Sequence, residues 1–259
     1  MADHDPSTAL LLDRFIGEVV DLLSPVAIWA HGSLGGGDYQ PGRSDIDLIA
    51  VLDGRCTPEQ SGSLDLLHRR LVEEVPLAAK LHCGYLSRTE LTDVRIEHLT
   101  WAHQELFHRT VTPVTRRELH LFGVVLYGPS PTRLLPPITQ DALAAFLVEE
   151  MRGPWREALA KPQLWQQDGW VDFGMLALAR ASETLKSGRL ITKAEAIELL
   201  VDEWDAPAEV VADIRARRYG TPAPATPEWI ARRARLTTEF LHSALESATT
   251  EHKGVVPSA

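Results

Sequence analysis

The stretch that decides the fold is residues 28–51, which read IWAHGSLGGGDYQPGRSDIDLIAV. Two short apolar, β-prone runs cover residues 26–30 and 46–52, and a glycine cluster separates them. Apolar runs of this length, bounded by glycine, are typical of buried strands. We therefore predict two adjacent strands joined by a glycine-rich loop.

Two carboxylates lie two residues apart on the second predicted strand, at Asp45 and Asp47. Alternate side chains leave the same face of a strand, so both acids share one face while Ile46 and Leu48 point into the core. Neighbouring carboxylates repel each other, and a divalent cation between them removes that cost. The pair therefore predicts a Mg²⁺ site.

The pair Gly32-Ser33 precedes these acids in the loop. Because glycine has no Cβ, backbone N–H groups and the serine hydroxyl can come close to a triphosphate. Arg43 and Ser44 are further candidate phosphate contacts. With Mg²⁺ bridging the triphosphate and the acids, the implied reaction is in-line attack of an alcohol on the α-phosphorus, which releases pyrophosphate.

The surrounding pattern predicts the order α-β-β-α-β, with helices over 7–23 and 57–75 and a third strand over 80–86. Ser7 or Thr8 is the predicted N-cap of the first helix. Residues 90–110 have ambiguous periodicity, and residues 120–127 fit either a strand or a short buried helix.

After a proline-rich passage, every segment has helical periodicity. We predict helices over 139–159, 171–187, 192–204, 207–218 and 227–247. Thr192 with Glu195 predicts a capping box, and Thr226 before Pro227 predicts an N-cap. The predicted division is a first domain over 1–135, a helical domain over 136–250 and a disordered tail over 251–259.

The formal charge of −10, from 26 basic and 36 acidic residues, disfavours a nucleic-acid partner and suits a cationic one. Cys56 and Cys83 lack the spacing of a metal or disulfide framework. There is no apolar run of about 18 residues and no secretory leader pattern, so no membrane partner and a cytoplasmic location are expected. The sequence leaves the oligomeric state open.

The motif Gly32-Ser33, ten residues, then Ser44-Asp45-Ile46-Asp47 resembles the fingerprint of the nucleotidyltransferase superfamily. Residues 176–193 resemble part of the C-terminal domain of the streptomycin/spectinomycin (aminoglycoside) adenylyltransferases. The resemblance implies an α+β fold, in which a mixed sheet with flanking helices precedes an all-α helical bundle. It also implies Mg²⁺-dependent transfer of AMP from ATP to a hydroxyl of a small molecule, with an aminoglycoside antibiotic as the acceptor.

The same resemblance implies further roles. It places an ATP-phosphate contact at Arg180 and another at Lys193, and a substrate-contacting ring at Trp101. Asp168 and Asp172 fall near the family's acidic position for a cationic acceptor, without a clean alignment. Lys193 directly follows the predicted cap Thr192, where a helix dipole disfavours a cation, so a nearby anion would explain it.

One departure from the family concerns the carboxylate that takes the proton from the acceptor hydroxyl. The equivalent strand, 80–86, contains no acid. Period-two alternation puts His82 on its polar face, and a neutral imidazole can act as a general base. His82 is therefore the candidate base, with Glu97, His103 and Glu105 as weaker candidates.

Two other interpretations stay open. The chain could be a nucleotidyltransferase with a protein or other acceptor. It could also be a nucleotide-binding regulatory or antitoxin-like protein with degenerate catalysis, which the missing third acid supports.

Overall fold

The computed structural model describes residues 5–251, which fall into two compact units, one up to Ile138 and one from Thr139. The first unit is a sheet with flanking helices, and the second is helical. The predicted α+β class is confirmed. The described chain contains no helix both long and apolar enough to cross a membrane.

The first unit builds its sheet from strands that alternate with helices along the chain. Its elements are α1 (Pro6–Leu23), β1 (Ala27–Ala30), α2 (Gly32–Gly35), β2 (Ile46–Leu52), α3 (Pro58–Glu74), β3 (Leu81–Ser87), β4 (Glu97–Ala102), β5 (Glu105–Thr110), α4 (Pro113–Phe122), β6 (Val124–Tyr127) and α5 (Pro131–Leu134). Short 3-10 turns precede and follow β3, at Pro76–Lys80 and Arg88–Glu90.

The sheet has the order β5-β4-β3-β2-β1-β6. Only the central pair, β2 and β3, is parallel among the described strand pairs; the others are antiparallel. The register places Asp47 beside His82 and Cys83 beside Trp101. These two pairings decide which side chains can meet at the candidate site.

Strand alternation divides the sheet into two faces. Leu48, Cys83 and Trp101 belong to one hydrophobic cluster, which also includes apolar residues of α1 and α3. Trp29 and Ile49 belong to the other, which includes Leu119 of α4. Asp47 is two positions from Ile49 and pairs with His82, so both lie on this second face.

The start of α1 differs from the prediction. Asp5 is the N-cap, and its Oδ2 accepts a hydrogen bond from the backbone N–H of Thr8 at 3.1 Å. A carboxylate at this position satisfies a backbone donor that has no partner within the helix. Neither Ser7 nor Thr8 is therefore the cap, since both lie inside the helix.

The ambiguous region 90–110 forms the hairpin of β4 and β5. His103 and Gln104 make its two-residue turn, with φ of 54° and 63°. Residues 120–127 contain both of the elements that were considered, because α4 ends at Phe122 and β6 begins at Val124. Gly123 separates them, and a Cβ there would lie 2.4 Å from the carbonyl oxygen of Leu119.

The second unit differs from prediction mainly at helix boundaries. Its helices are α6 (Gln140–Arg152), α7 (Pro154–Leu159), α8 (Asp168–Ser187), α9 (Lys193–Asp202), α10 (Ala208–Tyr219) and α11 (Pro227–Glu251). The predicted helix 139–159 is interrupted at Gly153, since Pro154 lacks the N–H that would continue it.

Both predicted helix starts in this unit are confirmed. Thr192 and Glu195 form the capping box of α9. The backbone N–H of Trp229 donates to Thr226 Oγ1 at 3.2 Å at the start of α11. The predicted tail lies outside the described residues, except for Glu251, which ends α11.

Candidate active site

The candidate site lies where β2 and β3 begin. Asp45 immediately precedes β2, Asp47 is its second residue, and His82 is the second residue of β3. The glycine-rich turn of α2 is held against β2, because the backbone N–H of His31 donates to the carbonyl of Asp47 at 3.0 Å. The structure thus brings the predicted acids, the predicted base and Gly32 together.

Gly32 is required at its position for two reasons. Its φ is +59°, a conformation that side-chain-bearing residues rarely adopt, and a Cβ there would lie 2.6 Å from Asp47 Oδ2. The sequence interpretation gave this glycine the role of admitting a phosphate. The structure adds that it admits the Asp47 carboxylate, which would otherwise be displaced.

His82 faces Asp47 across the parallel strand pair. Its Nδ1 lies 3.4 Å from Asp47 Oδ1, and the side chain is largely buried, with 7% of the residue exposed. The ring of His103 packs edge-on against it, at a centroid distance of 5.0 Å. The Asp47 carboxylate therefore directs one oxygen toward His82 and the other toward Gly32.

Asp45 has a different environment. Its Oδ1 lies 3.4 Å from Lys80 Nζ, and both side chains are more than one-third exposed. An ion pair this exposed contributes little to stability, so the carboxylate can exchange partners.

The loop between α2 and β2 is tied down by polar contacts. Ser44 is buried, and its Oγ accepts the backbone N–H of Gln40 at 3.0 Å. The Tyr39 hydroxyl bonds to Thr8 Oγ1 of α1 at 2.9 Å, and burial raises the pKa of Tyr39. Arg43 is exposed. Ser44 thus shapes the loop.

The oxygen ligands that Asp45 and Asp47 offer can be compared with those that Mg²⁺ prefers. Among the described residues, no group of three or more His, Cys, Asp or Glu side chains is arranged to hold a metal ion. Mg²⁺ is usually held by one or two carboxylates together with substrate phosphates and water, rather than by a full protein cage. Asp45 and Asp47 fit that pattern, since both offer partly exposed carboxylate oxygens.

Sequence reasoning missed Glu118, on α4. Its Oε2 lies 3.1 Å from His31 Nδ1, and both side chains are buried. This contact joins α4 to the residue that caps α2 and binds the Asp47 backbone. No local pattern could have revealed it, because the two residues are 87 positions apart.

In the helical unit, Arg180 and Lys193 lie at the same corner. Arg180 of α8 donates through Nε to the carbonyl of Ile191 at 2.9 Å, two residues before Lys193 begins α9. Both side chains are partly buried. The structure therefore brings the two predicted phosphate contacts to one short connection.

The prediction for Trp101 is corrected. The residue is 1% exposed, and its ring stacks on His68 at 4.5 Å with an interplanar angle of 8°. It pairs with Cys83 and so points to the sheet face opposite Asp47 and His82. Trp101 is a core residue here and offers no ring face to a ligand.

Asp168 and Asp172 both take part in ion pairs within the helical unit. Arg217 Nη2 lies 2.5 Å from Asp172 Oδ1, and Arg233 Nη2 lies 2.6 Å from Asp168 Oδ1. Both arginines also bind Asp213. Burial raises the pKa of Asp172, which the Arg217 contact opposes. These contacts tie α8 to α10 and α11. The Asp172 carboxylate is engaged by Arg217, whereas the Asp168 side chain is 56% exposed.

The comparisons with known proteins agree with this geometry. Residues 12–101 match the model of a nucleotidyltransferase domain family. That segment contains the glycine turn, both aspartates and His82. No curated protein sequence matches the chain significantly.

Among solved structures, the chain is similar to spectinomycin adenyltransferase AAD(9) from Enterococcus faecialis, crystallised with ATP and spectinomycin. The TM-score is 0.67 at 15% identity, and the match covers 91% of this chain and 98% of that one. At this identity the likeness shows the fold. The predicted resemblance to the nucleotidyltransferase superfamily is confirmed over residues 12–101, and the likeness to an aminoglycoside adenylyltransferase is one of fold.

Proposed function

We propose that this chain, whose N-terminal unit carries a nucleotidyltransferase domain, transfers AMP from ATP to a hydroxyl of a small cationic molecule of the aminoglycoside class. The observation that carries the proposal is the arrangement of Asp45 and Asp47 at the start of β2, with Gly32 packed against the Asp47 carboxylate.

The two aspartates would hold Mg²⁺ on the triphosphate. When bound, that ion would neutralise charge on the phosphates and orient them for displacement. The chain's own contribution is to keep two carboxylate groups at the start of β2, beside Gly32, which has no side chain. Gly32, Ser33 and Arg43 would line the phosphate side of this site.

His82 is the proposed base. His82 Nδ1 lies 3.4 Å from Asp47 Oδ1. In the tautomer that carries its proton on Nδ1, the Nε2 lone pair would accept the proton of the acceptor hydroxyl. The acceptor oxygen then forms a bond to the α-phosphorus, and the bond between the α-phosphorus and the bridging oxygen breaks to release pyrophosphate. Asp47 would orient the imidazole in the manner of a carboxylate beside a catalytic histidine.

The first experiment measures pyrophosphate release from ATP and Mg²⁺ with a panel of aminoglycosides. We expect release with at least one acceptor, and a loss of about a thousandfold in Asp47→Asn, because the carboxylate charge that holds the metal is removed. The matched control is Asp53→Asn, an exposed aspartate just after β2. Saturable ATP binding without release for any acceptor would contradict transfer and support the regulatory interpretation.

The second experiment addresses His82. We expect His82→Gln to reduce the transfer rate about 10²- to 10⁴-fold with ATP affinity unchanged, as loss of a general base does. His82→Glu should restore part of the rate, since a carboxylate can accept the same proton. His108→Gln, an exposed histidine on β5, is the control. Full activity in His82→Gln would exclude His82 as the base.

A further inference from the structure

A cavity of about 240 Å³ lies within the helical unit, among α6, α7, α8 and α11. Its lining is mainly apolar and contains four aromatic rings, three of them from the chain's seven tryptophans: Trp155, Trp165, Trp170 and Phe173. The proposed nucleotide site uses none of these residues. A pocket of this composition is characteristic of small-molecule binding rather than of simple core packing.

The floor of the cavity is fixed. Trp165 is buried and donates through Nε1 to the carbonyl of Ala158 at 3.0 Å. Gly174 of α8 lets this indole pack closely, since a Cβ there would lie 2.7 Å from the ring. The pocket is therefore shaped before any ligand arrives.

The rim is aromatic and partly open to water. Trp155 packs against Phe173 and Phe173 against Trp170, both edge to face, at centroid distances of 6.1 and 6.2 Å. Phe173 is 53% exposed, and both tryptophans are partly exposed. The rim therefore offers partly exposed aromatic surface, and the face of an aromatic ring attracts a cation placed over it.

One carboxylate lines this pocket, that of Glu150 on α6. Burial raises its pKa, and the adjacent Glu149 adds to the effect. Among the described residues, no cation forms an ion pair with it. A partly buried carboxylate without a counter-charge is costly, and a bound cation would remove that cost.

We infer that this pocket binds a small organic cation with an apolar body, such as a quaternary ammonium compound, through its aromatic rim and Glu150. The ring faces would contact the methyl or methylene groups that carry the positive charge, and the carboxylate would neutralise it. This inference does not depend on the proposed transfer of AMP, because the pocket lies entirely within the helical unit.

The test titrates choline into the full chain without ATP and follows tryptophan fluorescence, with calorimetry as the second readout. The neutral carbon isostere of choline, 3,3-dimethyl-1-butanol, is titrated in parallel. We expect saturable binding of choline and affinity for the isostere weaker by about tenfold or more, as loss of a partly desolvated charge contact predicts.

Two variants assign the contacts. Glu150→Gln should weaken choline binding about tenfold and leave the isostere unaffected. The matched control is Glu149→Gln, which makes the same charge change on the exposed neighbour outside the pocket and should bind choline as the parent does. Trp155→Leu should weaken choline binding while keeping the pocket apolar, and circular dichroism would verify that each variant is folded.

Three outcomes would overturn the inference. Equal affinity for choline and its isostere would mean that the pocket does not select charge. Equal effects of the two glutamate variants would exclude Glu150 as the counter-charge. A concentration-dependent dimer that Trp155→Asp disperses would mean that a second copy of the chain occupies the pocket.

Discussion

At the scale of single residues, Gly32 carries two constraints that can be separated by mutation. Gly32 and Gly37 both have positive φ, at 59° and 75°, but only Gly32 has a neighbour that a Cβ would strike. A left-handed conformation costs an alanine roughly 1–2 kcal/mol, so Gly37→Ala should lower the free energy of unfolding by about that amount. Gly32→Ala should lower it by at least as much, because its Cβ also meets Asp47.

Activity should distinguish the two variants. We expect Gly32→Ala to lose at least about tenfold in pyrophosphate release, because Asp47 must move by a fraction of an ångström or more, and misplacement of this size is costly in catalysis. Gly37→Ala should keep the parent rate, since nothing lies within 4 Å of its Cβ. Equal activity in both variants would show that the contact with Asp47 is unimportant.

At the same scale, the candidate site could be predicted from the sequence only where its members are local. Asp45, Asp47 and Gly32 lie within sixteen positions, so strand alternation and glycine chemistry were sufficient. Glu118 and the orientation of Trp101 depend on packing and register between distant strands. The family resemblance placed Trp101 near a ligand, whereas its pairing with Cys83 turns it to the opposite face.

At the scale of elements, α3 packs on β4 through a neutral histidine. His68 is 1% exposed, stacks on Trp101 and shares a 2.6 Å hydrogen bond with the Tyr85 hydroxyl. Burial lowers the pKa of His68 to about 3. Below pH 6.5 the unfolded chain therefore binds a proton that the folded chain does not.

Because only the unfolded chain binds this proton, the free energy of unfolding depends on pH. The contribution of His68 is complete above pH 6.5 and declines as the pH falls toward 3. As the pH falls from 6 to 4, the free energy of unfolding of the unmodified protein should decrease, relative to that of His68→Gln, by about 1.4 kcal/mol per pH unit. Urea denaturation of both proteins across this range measures it. A difference that does not change with pH would mean that His68 is protonated in the folded state.

The hairpin of β4 and β5 explains why these two strands escaped prediction. Its turn is His-Gln, without the Asn-Gly or glycine signal that marks two-residue hairpins. Most of β4 is buried on both faces, so it also lacks the alternation of a half-exposed strand. By contrast, β2 was predicted to the residue, because its apolar run begins directly after a charged, glycine-rich loop.

The same turn yields a stability prediction. His103 and Gln104 both occupy positive φ, so replacing them with Asn-Gly should raise the free energy of unfolding by about 1 kcal/mol. Gln104→Gly alone should give part of the gain without altering the contact between His103 and His82. Thermal unfolding measures both variants. A lower melting temperature for the Asn-Gly variant would indicate that the His103 contact outweighs the backbone strain.

At the scale of the whole molecule, the negative net charge of the protein should attract the proposed cationic acceptor. The formal charge is −10, and long-range attraction or repulsion of this kind is weakened by salt. If the acceptor is a polycation, we expect its KM to rise several-fold, on the order of threefold to tenfold, between low and physiological ionic strength.

The KM for ATP provides an internal control, because we expect the opposite dependence on salt. The nucleotide is an anion, so its KM should stay constant or fall as salt weakens repulsion from the acidic protein. Steady-state pyrophosphate release, with each substrate varied in turn at constant Mg²⁺, measures both trends. An acceptor KM that does not respond to salt would argue against recognition by charge and favour a neutral or polypeptide acceptor on the same nucleotidyltransferase fold.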